Sequence, residues 1–302
     1  MNSDQRLVIA SNRLPVVMRP GEGGQWRAEP GAGGLVTALA PVLRDRGGMW
    51  IGWPGATDPP TDALREAIAA AVDDTGYDLV PVFMDAHEKD LYYRVFSNEV
   101  LWPLFHDMTS RCRFLPEAWD VYSRVNERFA DVVADKLQAN DFLWIHDYHL
   151  LRLGTFLRRA GMTQRLGFFL HIPFPPVDVF MKLPWRQQML LDLLQFDLIG
   201  FQAQRDRRNF ARAVSALLPD RATVRTSGQR TSITCDQRHT LAGAFPIGID
   251  AAGFARDAAI ASATGDRRGG RDADRVVLSR QLVPRARIAA GAKRDRAGGG
   301  AV

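Results

Sequence analysis

The segment FLWIHDYHLL, residues 142–151, decides the fold, because an apolar run of strand character passes directly into charged and hydrogen-bonding side chains. The same transition occurs at residues 167–175, where GFFL leads into HIPFP, and at residues 7–13, where LVIAS leads into Asn12 and Arg13. Short apolar runs bounded by polar residues predict buried strands. Helical patterns of ten or more residues lie between the strands. This alternation predicts βαβ units and a mostly parallel, Rossmann-like, doubly wound α/β sheet.

The other segments extend this pattern over the first 250 residues. Helices are predicted at residues 35–46, 62–72, 117–137, 179–194 with a kink at Pro184, and 205–217, and a further helix begins near His149. Strands are predicted at residues 79–83 and 198–201, a hairpin at 223–225 and 232–234, and a long Gly/Pro-rich loop at 19–34.

Polar side chains follow three of the predicted strands at the point where each strand ends. They are Arg13, Asp147 with its flanking histidines, and His171. Ligands of doubly wound sheets bind at the carboxyl ends of the strands, and the forked guanidinium of arginine suits a phosphate group. Each residue also has a structural explanation: Arg13 as a loop brace, Asp147 as a helix cap and His171 as a brace of a rigid turn. Their coincidence at three strand ends favours a site for a polar, anionic small molecule.

Glycines precede the first predicted helix at residues 31–34, and Gly33 and Gly34 come directly before the helical pattern. Glycine allows a ligand to approach backbone N–H groups, and a helix N-terminus favours an anion, although this signal alone is weak. Neither the GxGxxG fingerprint nor a P-loop occurs, which argues against dinucleotide and ATP sites. The histidines near residue 146 lack the spacing and the carboxylates of a metal site, so no metal is expected.

The segment YYRVFSNEVLWP, residues 92–103, is unusually aromatic. Its rings fit the core-facing side of a helix, and Tyr93 and Trp102 equally fit platforms for the faces of a sugar. The spacing does not separate these two interpretations.

Charge is distributed unevenly along the 302 residues, whose net charge is +5. Residues 261–302 carry nine Arg, one Lys and four Asp, a net charge of +6, and no aromatic residue. A nucleic-acid partner is not expected, because this basic segment mixes in Asp and lacks interleaved aromatic residues.

A signal-peptide pattern and a membrane span are absent from the sequence, so we expect a cytoplasmic protein without a membrane partner. Cys112 and Cys235 do not describe a disulfide framework.

Eight sequence strings, in order, resemble those of the trehalose-6-phosphate synthase family of retaining glycosyltransferases (family 20). They are SNRLP, GAGGL, YYRVFSNEVLWPLFH, YSRVNERFA, FLWIHDYHLL, GFFLHIPFPP, DLIGFQ and FPIGID, spread over residues 6–256. The resemblance implies a GT-B architecture of two Rossmann-like domains. It also implies transfer of glucose from a nucleotide sugar, usually UDP-glucose, to glucose 6-phosphate.

The resemblance implies a role for individual residues on the acceptor side. Arg13 corresponds to the residue that holds the acceptor phosphate. Tyr93 and Trp102 correspond to residues that line the acceptor sugar site, and Asp147 to one that contacts acceptor hydroxyls. The partners implied are therefore a sugar phosphate and a nucleotide sugar.

On the donor side, the resemblance places Gly33 and Gly34 at the donor phosphates and His171 near the transferred glucose. Asp147 and His171 form the implied catalytic set. The acceptor attacks the same face from which the nucleotide leaves, and the departing phosphate takes the acceptor proton. The protein positions the reactants and stabilises charge, so no cofactor or metal is expected beyond the donor itself.

The resemblance ends near residue 256, where the family continues into a second, donor-binding domain. We therefore predict an acceptor-binding domain at residues 1–256 and a disordered basic tail at residues 257–302. The Ala, Gly and Arg content of the tail is what GC-rich coding DNA gives in a shifted frame, which favours a truncated or frameshifted product. Loss of one contact to the leaving group typically costs on the order of 100-fold in rate, so negligible transferase activity is expected from this chain alone.

Two alternative functions stay open at this point. The first is a related glycosyltransferase with another acceptor, such as a glucosylglycerol-phosphate synthase. The second is a non-catalytic sugar-phosphate-binding regulatory protein. The sequence does not give the oligomeric state, and a homo-oligomer is one of the open possibilities.

Overall fold

The computed structural model describes residues 5–31 and 33–247. Its strands are β1 (Leu7–Arg13), β2 (Val16–Pro20), β3 (Trp26–Pro30), β4 (Gly48–Trp53), β5 (Asp78–Pro81), β6 (Phe142–His146), β7 (Leu166–Leu170), β8 (Leu198–Phe201), β9 (Ala222–Ser227), β10 (Arg230–Cys235) and β11 (Arg238–Ala244). Its α-helices are α1 (Gly34–Arg46), α2 (Asp62–Thr75), α3 (Ala86–Glu88), α4 (Trp102–Phe105), α5 (Pro116–Lys136), α6 (Leu153–Arg159), α7 (Val177–Phe180), α8 (Arg186–Leu193) and α9 (Gln204–Leu217). A π-helix, Lys89–Leu101, connects α3 to α4.

Nine of these strands form one sheet in the order β5-β4-β1-β6-β7-β8-β11-β10-β9. Neighbouring strands run parallel from β5 to β11, and β9 and β10 add an antiparallel hairpin at one edge. The chain moves outward from β1 in both directions, so the order reverses between β1 and β6. A doubly wound sheet of this kind opens a crevice at the carboxyl ends of these two strands. The predicted α/β fold is confirmed.

Alternating residues of β1 enter two different cores, as the two-residue period of a strand requires. Val8 and Ala10 pack in a large core with residues of the π-helix, α5 and α6. Leu7 and Ile9 face the other way and pack in a second core with residues of α1 and α2. Helices therefore cover both faces of the sheet around the point where the strand order reverses.

Two segments differ from the sequence prediction. The predicted loop at residues 19–34 is wrong, because β2 and β3 pair there as an antiparallel hairpin. The prediction of one kinked helix at residues 179–194 is also wrong, since the structure has α7 and α8 with a break between them. Pro184 explains the break: proline clashes with the carbonyl four residues earlier, and that residue, Phe180, is the last of α7.

Two strands, β4 and β11, are present where the sequence predicted none. The hairpin predicted around residues 223–234 is confirmed as β9 and β10. The predicted tail, residues 257–302, lies outside the described residues. No helix within the described ranges is long and apolar enough to cross a membrane.

Gly52 allows the end of β1 to pass close to β4. The register between these strands shifts between Ala10 and Arg13. A Cβ atom at Gly52 would lie 2.6 Å from the carbonyl carbon of Arg13 and 2.7 Å from the amide nitrogen of Leu14. Both are backbone atoms, so the strand itself would have to shift to accept a methyl group.

We predict that Gly52→Ala lowers the free energy of unfolding by about 3 kcal/mol, the upper end of the range for overpacking. The control is Gly23→Ala in an exposed turn, where a Cβ would meet no atom within 4 Å and only the positive φ of 66° opposes alanine. That control should lose about 1 kcal/mol. Urea denaturation of both variants measures the difference, and equal losses would contradict the close approach.

Candidate functional site

Three of the predicted site residues lie at one edge of the sheet, because β1, β6 and β7 are adjacent and parallel. Arg13 ends β1, Asp147 follows β6, and His171 follows β7. The backbone N–H of His171 donates to Oδ1 of Asp147 over 3.3 Å, which links two of these strand ends directly.

The guanidinium group of Arg13 lies between two aromatic rings. Its Cζ is 4.9 Å from the ring centre of Trp53 and 5.2 Å from that of Tyr93. Among the described residues, no carboxylate pairs with it. Nζ of Lys89 lies 5.9 Å from the same Trp53 ring and adds a second positive charge. Because ring faces rather than carboxylates hold the exposed Arg13 cation, its N–H donors are available to an anionic ligand.

His149 connects Arg13 to the segment after β6. Its ring stacks on Tyr93 with the centroids 5.6 Å apart and the planes at 14°. Burial, assisted by the charge of Arg13, lowers the pKa of His149 to about 3. The imidazole is therefore neutral at physiological pH, and the positive charge at this edge remains on Arg13 and Lys89.

A pair of neutral histidines lies on the β6–β7 side. Nδ1 of His146 is 3.0 Å from Nε2 of His171, and the N–H of one ring donates a hydrogen bond to the other. Burial lowers the pKa of His171 to about 4 and holds the pKa of His146 well below its ordinary value. His171 can therefore offer a neutral imidazole to a ligand, with its orientation set by His146.

Buried polar atoms without a partner in the described part of the chain also occur at these strand ends. They include Oδ1 of Asn12, Nε2 of His146 and Nε2 of His149. Buried polar atoms are nearly always hydrogen-bonded in folded proteins, so these atoms have hydrogen-bonding capacity that the described side chains do not use.

Asp147 has an unusual backbone, with φ 73° and ψ 168°. This region is essentially reserved for glycine and costs on the order of 1–3 kcal/mol for other residues. Asp147 makes no side-chain cap of the following 3-10 turn, Tyr148–Leu150, so the capping explanation does not hold. Burial raises the pKa of Asp147 to about 6, against the opposing effect of backbone N–H groups of Tyr148, His171 and Ile172.

Gly33 caps α1 with φ 139° and ψ 152°, a conformation open to glycine alone. The N–H of nearby Gly31 donates to the carbonyl of Pro15 over 2.7 Å, which holds the start of α1 close to the end of β1. The first turn of α1, from Gly34, contains no acidic residue. Its N–H groups form a helix N-terminus suited to an anion.

Trp102 is not brought into contact with the other predicted residues. It begins α4 and its ring lies 4.2 Å from that of His106. The side chain is 37% exposed.

Sequence reasoning missed Trp53, Lys89 and His149 as members of this group. Trp53 ends a strand that was not predicted, and Lys89 begins a π-helix. His149 was noted only as a neighbour of Asp147, although its place in the HDYH string was the available signal.

We predict that Asp147→Asn stabilises the protein at high pH and not at low pH. The folded state keeps the Asp147 proton up to about pH 6, whereas the ordinary pKa is 3.8, so stability is lost as pH rises between these values. Asparagine removes the charge and keeps an oxygen for the His171 N–H. The variant should be more stable by about 3 kcal/mol at pH 7.5 and equal to the parent near pH 4.

Chemical denaturation at the two pH values measures this difference. Asp120→Asn, on an exposed position of α5, controls for the loss of one negative charge. A stability difference that does not change with pH would contradict a raised pKa at Asp147.

Among the residues that the structure describes, no three His, Cys, Asp or Glu side chains group in a way that could hold a metal ion. The edge is instead a cationic and aromatic surface with uncharged histidines and one carboxyl group.

Comparison with known proteins agrees with the fold. The chain is 38% identical over 254 residues to trehalose-6-phosphate synthase from Mycobacterium sp. (strain JLS), covering 83% of this chain and 51% of that protein. A solved structure described as trehalose-6-phosphate from E. coli bound with UDP-2-fluoro glucose superimposes with a TM-score of 0.67 at 35% identity. It covers 83% of this chain and 51% of that one.

An α,α-trehalose-phosphate synthase (UDP-forming) from Burkholderia xenovorans, solved in complex with glucose-6-phosphate, gives a TM-score of 0.65 at 31% identity over 81% of this chain and 50% of that one. The chain thus spans about half the length of the relatives it matches. The model of one protein family, described as glycosyltransferase family 20, matches residues 5–266. The chain belongs to glycosyltransferase family 20.

Proposed function

We propose that this chain is the acceptor-binding half of a retaining glycosyltransferase that transfers glucose from UDP-glucose to glucose 6-phosphate, forming trehalose 6-phosphate. The names of the relatives and the ligands of the two solved structures support this substrate pair. The observation that carries the proposal is the Arg13 guanidinium, which the Trp53 and Tyr93 rings hold without a carboxylate partner in the described ranges.

The phosphate of the acceptor binds Arg13 in this proposal. A guanidinium group forms two parallel, charge-assisted hydrogen bonds with a phosphate, and the neighbouring Lys89 ammonium strengthens the local positive potential. His149 does not add to this charge, because its low pKa keeps it neutral.

The sugar of the acceptor lies between Arg13 and Asp147. Tyr93 offers its ring to one face of the sugar, and the Asp147 carboxylate accepts hydrogen bonds from hydroxyl groups. Trp102, whose ring packs against His106, closes the sugar site in this proposal.

The donor phosphates bind the backbone of Gly33 and Gly34 at the N-terminus of α1. His171, neutral and oriented by His146, donates or accepts a hydrogen bond at the transferred glucose. These assignments make Asp147 and His171 the residues nearest to the reacting atoms.

In the proposed reaction, the bond between the anomeric carbon and the donor phosphate oxygen breaks, and the acceptor hydroxyl oxygen bonds to the same face of that carbon. The hydroxyl proton passes to the departing phosphate. The described residues position the acceptor and stabilise charge, and the proposal includes no metal or organic cofactor. Cytoplasmic location and the absence of membrane and nucleic-acid partners also remain predictions.

We predict that the 302-residue chain binds glucose 6-phosphate and that Arg13→Ala weakens this binding about 10- to 100-fold, the loss of a hydrogen-bonded charged pair. The matched control is Arg19→Ala, which removes an exposed arginine paired with Glu29 on the β2–β3 hairpin. Calorimetric titration measures both affinities. Equal affinities of the two variants would contradict the proposal that Arg13 binds the acceptor phosphate.

We also predict negligible trehalose 6-phosphate formation by the purified 302-residue chain, although it binds the acceptor. None of the described residues is proposed to place an Arg or Lys charge on the leaving diphosphate. Loss of a single charge-stabilising contact of this kind commonly lowers the rate on the order of 100-fold. A coupled assay of UDP release with UDP-glucose and glucose 6-phosphate checks this. Measurable turnover would refute it.

A further inference from the structure

The π-helix Lys89–Leu101 is stabilised by side chains that act across five residues. Oγ of Ser97 donates to the carbonyl of Tyr92 over 2.8 Å, and Nδ2 of Asn98 donates to the carbonyl of Tyr93 over 2.9 Å. Hydrogen bonds of a π-helix join residues five apart, and this rare element is frequently found at functional sites.

The amide oxygen of Asn98 forms a hydrogen bond with a residue outside the π-helix. Its Oδ1 accepts a hydrogen bond of 2.9 Å from the hydroxyl of Tyr148, a side chain that is 6% exposed. Tyr148 lies between Asp147 and His149 in the segment after β6. One planar amide therefore joins the backbone of Tyr93 to the segment that carries Asp147.

These bonds complete a closed ring of contacts. The rings of Tyr148 and His149 have centroids 4.1 Å apart, and His149 stacks in turn on Tyr93. The ring of Tyr93 also contacts the Arg13 guanidinium. A change at Asn98 therefore removes a bond to the Tyr93 backbone and, through Tyr148 and His149, loosens the stacking on the Tyr93 ring.

We propose that Asn98 is a positioning residue that sets the distance between Tyr93 and the Asp147–His149 segment, and through it the affinity for a sugar phosphate. This inference rests on the proposed function for its ligand. An amide is required, because only Asn has a donor for the Tyr93 carbonyl and an acceptor for the Tyr148 hydroxyl at this length. Aspartate would direct a carboxylate oxygen at the Tyr93 carbonyl.

The test compares Asn98→Ala with Ser97→Ala by calorimetric titration with glucose 6-phosphate. Both variants remove one side-chain hydrogen bond to the backbone five residues earlier, and only Asn98 also bonds to Tyr148. Asn98→Ala should weaken binding about tenfold, whereas Ser97→Ala should stay within about twofold of the parent. Equal losses of affinity in both would overturn the proposal, since they would indicate a general effect on the π-helix.

A double-mutant cycle with Tyr148→Phe isolates the link between the two segments. If Asn98 acts through Tyr148, the double variant should bind no more weakly than Asn98→Ala alone. If the fold losses of affinity in the two single variants multiply in the double variant, the link between Asn98 and Tyr148 is contradicted.

A second readout needs no ligand. The His149 ring contacts the rings of Tyr93 and Tyr148, so the NMR chemical shifts of its ring protons report these contacts through ring-current effects. Asn98→Ala should move them toward unstacked values and Ser97→Ala should leave them in place. Unmoved His149 shifts in folded Asn98→Ala would overturn the positioning role. A parent chain that binds no glucose 6-phosphate would count against the proposed function alone.

Discussion

Parallel hydrogen bonding between β1 and β6 is the constraint on which the rest of this structure depends. It joins Leu7–Phe142 through Ala10–Ile145, residues far apart in the sequence, and it places Arg13 and Asp147 at the same edge of the sheet. Right-handed crossovers then leave β1 in one direction and β6 in the other, which opens a crevice between them. The position of the candidate site is therefore a consequence of strand order.

The electrostatics of this edge follow from burial. The histidines at positions 146, 149 and 171 have pKa values below the ordinary range because burial disfavours the charged imidazole. Asp147 has a raised pKa for the same reason. The Arg13 guanidinium lies at the exposed end of β1, against two ring faces. An anionic ligand thus meets a cation surrounded by groups that do not compete for it.

The π-helix contributes the aromatic ring of Tyr93 to this edge. Its five-residue spacing places Tyr93 beside Arg13 and Asn98 beside Tyr148, an arrangement that an α-helix of the same sequence would not produce. The strained Asp147 lies two residues before His149, whose ring stacks on Tyr93 of the π-helix. Local irregularity is concentrated where the two segments of the site meet, as is common for functional residues in otherwise regular folds.

The sequence by itself determined the α/β class, most of the strands and helices, and the edge at which Arg13, Asp147 and His171 lie. It could do so because apolar runs and the polar residues after them are local patterns, and because parallel strands align their ends. Only the tertiary structure decided that Trp53 and Tyr93 enclose Arg13, that His149 is neutral, and that Asn98 joins two segments. Those facts depend on contacts between residues distant in the chain and on the burial they produce, which no local pattern contains.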